Sequence, residues 1–355
     1  MDELYYDALD MLKEMISIPS FSREETEVAN CIEARLKRFG LTTQRHGNNI
    51  WCISPDFNVN HPTLLLNSHI DTVKPAQGWT LEPFSPTEDE EDRIYGLGSN
   101  DAGASVVSLT ATFRHLCKIE RAYNLILLLS CEEEVSGRNG IESVLPLLPK
   151  IDVAIVGEPT EMHPAIAEKG LMVLDGEITG VSGHAARNEG INAIYRALEV
   201  INTLRNFTFE KESSMLGPVK ITVSQIEAGT QHNVVPDRCK IVVDIRTTDA
   251  YSNEETLKLI NQAVPQDWCN LTPRSTRLNP SGIDANHPLV KRLTTLGRIP
   301  FGSPTLSDQA LMSFPSLKLG PGHSARSHTA NEFIYKNEIR EAIQLYISLL
   351  SGLTI

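Results

Sequence analysis

The chain has 355 residues, 41% of them hydrophobic and 22% charged, with a formal net charge of −13. That length is too great for one small core and makes two domains the expectation, while the acidic balance argues against nucleic acid or anionic membrane as a partner. No apolar window of ~18 residues exists to span a bilayer, and Met1-Asp2-Glu3-Leu4 lacks the basic and apolar stretches of a secretory signal, so a cytoplasmic location is expected.

Leu4, Ala8, Leu12 and Met15 recur at helical spacing, which predicts an amphipathic helix ended near Pro19. Ser22-x-x-Glu25 has the form of a capping box and opens a second helix through Val28, Ile32 and Leu36, stopped by Gly40. Strands are expected near Asn49 to Ile53 and Thr63 to Ser68, then a turn and helix from Asp101 to Cys117. The apolar runs within Asn124 to Ser130 and Asp152 to Val156 read as strands covered on both faces, as in a parallel sheet.

The texture changes after Gly170. Leu171 to Thr179, Val219 to Ile226, Cys239 to Arg246 and Trp268 to Leu278 read as extended segments, with helices at Ile191 to Leu204 and Glu254 to Val264. That order, β-α-β-β-α-β, is the ferredoxin-like unit. Residues 171–282 are therefore read as a domain inserted into a mainly parallel α/β domain made of residues 1–170 and 283–355. The chain returns for a helix near Leu289 to Leu296, a strand near Ser316 to Leu319 and a closing helix from Lys336. The six cysteines are scattered with no C-x-x-C pair, which fits reduced thiols.

Ligand-type side chains follow the apolar strands. His69 follows Leu64-Leu65-Leu66, Glu133 and Glu134 follow Leu125 to Leu129, and Glu158 follows Val153 to Val156. Sites in parallel sheets lie at the carboxyl ends of strands, so these groups would converge on one crevice. Asp101, in a Gly-rich turn, and His328, in a polar loop, complete a set from which two histidines and three carboxylates suit a pair of divalent metals, zinc foremost. Each motif also has a plain reading. His69 and Asp71 are two apart and share a strand face, as surface pairs also do. Asp101 could cap a helix, and Glu132-Glu133-Glu134 could be a solvated acidic turn. The Gly96-Leu97-Gly98-Ser99-Asn100-Asp101 stretch fails as a dinucleotide fingerprint, because Asp101 stands at the third Gly position and would repel pyrophosphate. No G-x-S-x-G elbow exists, which argues against a serine hydrolase. Spacing alone does not choose between His323 and His328. His184, Asn233 and Arg246 in the inserted domain read as structural when taken singly.

Taken in order, S-H-x-D, G-x-x-D, E-E-E, G-E-P-T, G-H-A-A-R and G-P-G followed by H-T-A-N-E resemble the co-catalytic zinc deacylases that include acetylornithine deacetylase, succinyl-diaminopimelate desuccinylase, aminoacylases and carboxypeptidase G. The resemblance covers nearly the whole chain and implies two divalent ions, zinc or alternatively cobalt. His69 and Glu158 would bind one, Glu134 and His328 the other, and Asp101 would bridge them. Asp71 would orient His69, and Glu133 would be the general base and acid. The resemblance also selects His328 over His323. His184, Asn233 and Arg246 would reach the substrate, and the chain would form a homodimer through residues 171–282, with His184 serving the other subunit's site. The implied substrate is a small N-acyl-L-amino acid, first N-acetyl-L-ornithine in arginine biosynthesis. Desuccinylation of N-succinyl-L-ornithine or N-succinyl-diaminopimelate comes next, then a dipeptidase, and last a non-catalytic binding relative. A succinyl group needs another cation, for which Lys169, Arg187 and Arg326 are candidates. Departures from the family pattern are Glu132 in place of Asp, Asn188 in place of Pro, and the His323-Ser324-Ala325-Arg326 filling of the last loop.

Overall fold

The structure is a computed structural model that describes residues 2–355. The chain divides into two compact units, one made of Met1–Ile166, Gly282–Phe301 and Ser307–Ile355, the other of Ala167–Ser281 and Gly302–Leu306.

The first unit is built on a mixed sheet. Its strands run in the spatial order Thr43–His46, Asn49–Ile53, Asn124–Ser130, Thr63–His69, Val153–Val156, Ser316–Lys318 and Ala165–Glu168. The four strands Asn124–Ser130, Thr63–His69, Val153–Val156 and Ser316–Lys318 are mutually parallel, and antiparallel strands close both sides. Alternate side chains of the parallel strands enter opposite cores, as a period of two requires. Leu64, Leu66, Leu125, Leu127 and Leu129 pack with residues of the helices Asp2–Ile16, Thr26–Arg38, Ala104–Leu116 and Lys336–Leu350. Leu65, Ile126, Leu128 and Ala154 pack with Trp51, Ile141, Val144 and Ile151. Both faces are covered, so every residue of Thr63–His69 and Asn124–Ser130 is buried.

The second helix departs from its expected start. It begins at Thr26, and the Ser22–Glu25 capping box does not form. Ser22 Oγ donates instead to Asp71 Oδ2 (2.7 Å), and the buried Glu25 carboxylate accepts from the N–H groups of Arg23 (2.7 Å) and Glu132 (3.1 Å) and from Asn48 Nδ2 (3.0 Å). Long-range partners have outcompeted the local cap. At the other end, Gly40 takes φ +78° and the N–H groups of Leu41 and Gly40 reach the carbonyls of Leu36 and Lys37, which is the Schellman stop that a glycine permits.

The second unit holds an antiparallel sheet in the spatial order Lys220–Ala228, Arg238–Thr247, Gly170–Thr179 and Cys269–Pro273. The helices Ala193–Asn206 and Asn253–Ala263 share one core with one face of that sheet. Chain order strand-helix-strand-strand-helix-strand with this pairing is ferredoxin-like. The last strand ends at Pro273, short of the expected Leu278. A two-residue pair, Gly183–His184 with Val234–Val235, is appended to the unit. No helix among the described residues is long and apolar enough to cross a membrane.

Candidate metal centre

The carboxyl ends of the parallel strands bring three of the five candidate ligands, His69, Glu134 and Glu158, to one place. His69 ends its own strand. Asp101 sits in the turn before the helix Ala104–Leu116, Glu134 in the one-turn helix after Asn124–Ser130, and Glu158 two residues beyond Val153–Val156. His328 comes from the loop before the strand Phe333–Tyr335.

The contacts form a chain centred on Asp101. His69 Nε2 lies 3.1 Å from Asp101 Oδ1 and 3.7 Å from Glu158 Oε1. Asp101 Oδ2 lies 3.6 Å from His328 Nε2, which is 3.0 Å from Glu134 Oε2. Donor atoms of His69, Asp101 and Glu134 all lie within 4.8 Å of one another. Depth is graded across the cluster: the side chain of His69 is 1% exposed, that of Glu134 8% and that of His328 54%. His323 stays outside. Its Nδ1 accepts from Ala325 N–H, and its Nε2 faces Glu161 Oε1 at 3.4 Å.

The tautomer of His69 follows from its neighbours. Nδ1–H donates to the carbonyl of Asp71 (2.9 Å), and a carbonyl can only accept. Nε2 of the neutral ring therefore turns its lone pair toward two carboxylate oxygens. Burial favours the neutral ring. Hydrogen bonds to Asp101 and Asp71, with the charges of Glu133 and Glu158, nonetheless hold the His69 pKa well above the ordinary imidazole value. In effect the cluster asks for a cation at that point. Glu158 makes the same demand. Its Oε1 is buried without a hydrogen-bond partner, and burial pushes its carboxyl up to about 8.

The three consecutive glutamates separate. Glu132 takes φ +57°, and its carboxylate turns back to accept from Asn139 Nδ2 (2.9 Å). The N–H groups of Glu133 and Glu134 both donate to the carboxylate of Asp71, at 3.0 and 3.2 Å. Asp71 thus reaches His69 chiefly through its carbonyl, its nearer carboxylate oxygen standing 3.6 Å from Nδ1, and its carboxylate holds the glutamate turn. Burial raises the Glu133 carboxyl well above its ordinary value, against the pull of His69.

Two acidic residues that sequence reasoning passes over also belong here. Glu332 is buried and accepts from the N–H groups of Gly98 (3.1 Å), Asn100 (2.8 Å) and Asp101 (2.9 Å), fixing the Asp101 turn from behind. Burial, with Asp101 nearby, pushes it up to about 8. Gly98 in that turn has φ +74°, and a Cβ there would meet Thr72 Cγ2 at 2.6 Å, so only glycine fits. Asp308 is buried with Oδ2 at 2.6 Å from Ser130 Oγ, which also accepts from Asn67 Nδ2 (2.9 Å). Burial pushes its carboxyl up to about 6. The Asn331-Glu332 pair closing the last polar loop is a faint signal for the first. Nothing around Leu306-Ser307-Asp308 signals the second.

The remaining candidates lie in the second unit. His184 is exposed on the two-residue strand, its Nδ1 accepting from Ala186 N–H (3.1 Å), and the carbonyl of Asn233 accepts from Ala185 N–H (3.1 Å). Arg246 is at the opposite end of the ladder between Arg238–Thr247 and Gly170–Thr179 and pairs in bidentate fashion with Asp244 (2.9 and 3.1 Å). The structure brings His184 and Asn233 together and leaves Arg246 apart from both. Arg326, in the first unit, is committed elsewhere. It pairs with Glu338 (2.7 Å) and stacks over Phe333 and Tyr335. Arg187 faces Glu189 at 3.7 Å on the surface.

Residues 65–352 match the model of Peptidase family M20/M25/M40. The chain is 25% identical over 371 residues to a succinyl-diaminopimelate desuccinylase of Wolbachia pipientis, covering 96% of this chain and 92% of that one. A tripeptidase of Staphylococcus aureus has a similar structure, with TM-score 0.79 and 19% identity over 98% of this chain and 97% of that one. A dinuclear metal-binding peptidase of the M20 family from Bacillus subtilis gives TM-score 0.74 and 15% identity over 98% of both chains.

Proposed function

The chain belongs to peptidase family M20/M25/M40 and is a metal-dependent hydrolase of amide bonds; from that premise we propose that it removes the acyl group from a small N-acyl-L-amino acid with the help of two divalent cations. One observation carries the reading: the carboxylate of Asp101 stands between two histidines, each with a further carboxylate beside it, Glu158 next to His69 and Glu134 next to His328. The donor set fits the ions. Nitrogen and carboxylate oxygen donors suit zinc, with cobalt next, and the unpartnered Glu158 Oε1 supports a cation at its end of the cluster. In this reading His69 and Glu158 hold one ion, Glu134 and His328 the other, and Asp101 is shared.

When bound, such a pair supplies Lewis acidity to the scissile carbonyl and acidifies water at the site. The residues of the chain do the rest. Glu133, adjacent in sequence to a ligand and held by burial in a state that welcomes a proton, takes the proton of the attacking water and passes it to the departing amine nitrogen. Asp71 keeps that glutamate turn in place through both of its carboxylate oxygens. Arg246 receives the α-carboxylate of the amino acid, and Asn233 contacts the substrate. His184 donates to the developing oxyanion. Eight ladder positions separate Arg246 from Arg238, and His184 lies beyond that far end. At ~3.3 Å per residue this is about 26 Å, too far for one small substrate to touch both within one chain. We therefore assign His184 to the site of a second subunit in a homodimer formed through residues 171–282.

The first substrate reading is N-acetyl-L-ornithine, giving L-ornithine for arginine biosynthesis. A second, N-succinyl-L-ornithine or N-succinyl-diaminopimelate, is favoured by the desuccinylase names of relatives such as that of Wolbachia pipientis. The test is amine release by the zinc-loaded protein offered acetyl-ornithine, succinyl-ornithine and succinyl-diaminopimelate side by side. Protein that holds zinc and cleaves none of them is not a deacylase of this class.

A further inference from the structure

The second unit's sheet has one face covered by its two helices. Cys239, Ile241, Val243, Ile245 and Thr247 point into that core. Arg246 and Asp244, on the alternate positions, stand on the other, open face. Lys220 is directly opposite Arg246 on the neighbouring strand, and opposed residues of an antiparallel pair project from the same face. Lys169 immediately precedes the strand whose Leu171 is also opposite Arg246. Its Nζ donates to the carbonyl of Pro218 (3.4 Å), two residues from Lys220. Three cations thus meet at one corner of a chain whose net charge is −13. One carboxylate, Asp244, is bonded to Arg246 there, and Lys220 has no ion-pair partner among the described residues. Burial lowers the pKa of Lys169, and the charges of Lys220 and Arg246 lower it further, as expected when like charges are gathered.

A folded chain gains nothing by gathering like charges unless an anion relieves them. We propose that Lys169 and Lys220, beside Arg246, form a receptor for the second carboxylate of a dicarboxylic acylated amino acid, which ranks the second of the two substrate readings, the succinylated one, above the acetylated one. The assignment rests on the deacylase reading and names the substrate class within it. The site lies wholly inside the second unit. Arg246 exchanges its Asp244 partner for one carboxylate, and the two ammonium groups take the other as point charges. An acetyl group ends in a methyl and offers the lysines nothing.

The experiment compares kcat/KM for succinyl-ornithine and acetyl-ornithine in the wild type and in Lys169→Ala, Lys220→Ala and Lys220→Arg. Loss of one charge-assisted contact is expected to lower the succinyl-to-acetyl ratio about tenfold in each alanine variant, mostly through KM, with Lys220→Arg restoring it. Lys240→Ala, an exposed cation farther along the same face, controls for a general field effect and should keep the wild-type ratio. An unchanged ratio in both alanine variants, or equal losses on the two substrates, overturns the assignment. Should the wild type cleave neither substrate, the deacylase reading has failed. Calorimetric titration with succinate then still decides the cluster: binding weakened about tenfold by Lys220→Ala sustains it, and binding indifferent to that change removes it.

Discussion

Adjacent residues with the same side chain can be given opposite tasks when one backbone turn sends them to different surroundings. Glu132 turns away to Asn139, Glu133 meets a buried field of negative charge, and Glu134 meets His328. Because the proton shuttle is assigned to Glu133 alone, Glu133→Gln should lower kcat by about 10²- to 10⁴-fold while elemental analysis still finds metal bound. Near-normal turnover in that variant would place the shuttle elsewhere. Asp308 allows a different test. Its folded pKa is raised to about 6 from an ordinary 3.8. Between those values the unfolded chain has released this proton and the folded one keeps it. The folded state therefore binds more protons, and stability falls as pH rises through that window, by up to about 3 kcal/mol from this group. In metal-free protein, Asp308→Asn should remove that slope, so its unfolding free energy gains on the wild type from pH 4 to pH 6.5. Parallel pH profiles by denaturant titration would contradict the buried-acid account. Legibility in the sequence follows the same physics. His69, Glu133, Glu134 and Glu158 stand out because each follows an apolar strand, and a charged group at the end of a buried run needs a partner. Asp308 and Glu332 follow no such run, and their burial comes from tertiary packing that local pattern does not record.

Among elements, two identical patterns make the point about local signals. Ser22-x-x-Glu25 and Ser252-x-x-Glu255 both have capping-box form. The second forms the box, with reciprocal bonds between Ser252 and the Glu255 backbone and side chain. The first does not, because Glu25 is fully buried and serves three donors drawn from Arg23, Asn48 and Glu132, while Ser22 serves Asp71. An exposed cap competes only with water. A buried carboxylate is held by every donor that would otherwise go unsatisfied. Glu25→Ala should therefore destabilise the protein by about 3 kcal/mol in denaturant unfolding, and Glu255→Ala by far less. Equal losses would show that the Glu25 contacts carry no special weight. The alternation of Leu64, Leu65 and Leu66 between two cores is the opposite case. Strand periodicity is a local property, so the parallel sheet is legible before any contact is known, and the same holds for the β-α-β-β-α-β order of residues 171–282.

For the whole molecule, the decisive question is whether one chain holds a complete site. Arg246 stands at one end of a ladder and His184 lies beyond the other end, on the short pair appended there, a separation that any movement of the unit as a body leaves unchanged. If both touch one small substrate, they come from different copies of the chain, and a twofold dimer of 39.3 kDa subunits is the simplest closed arrangement that supplies them. Complementation tests this directly. Glu133→Gln and His184→Ala should each be nearly inactive as pure dimers. In mixed dimers, one of the two sites joins an intact Glu133 to an intact His184, and the other carries both lesions. Unfolding the two variants together and refolding them yields about half mixed dimers if assortment is random, so activity should recover to roughly a quarter of the wild-type value. Separately refolded proteins, mixed only at assay without exchange, should recover none. Failure of co-refolded protein to regain activity, with dimers present by light scattering and zinc bound, would mean that His184 acts within its own chain or does not act on the substrate at all.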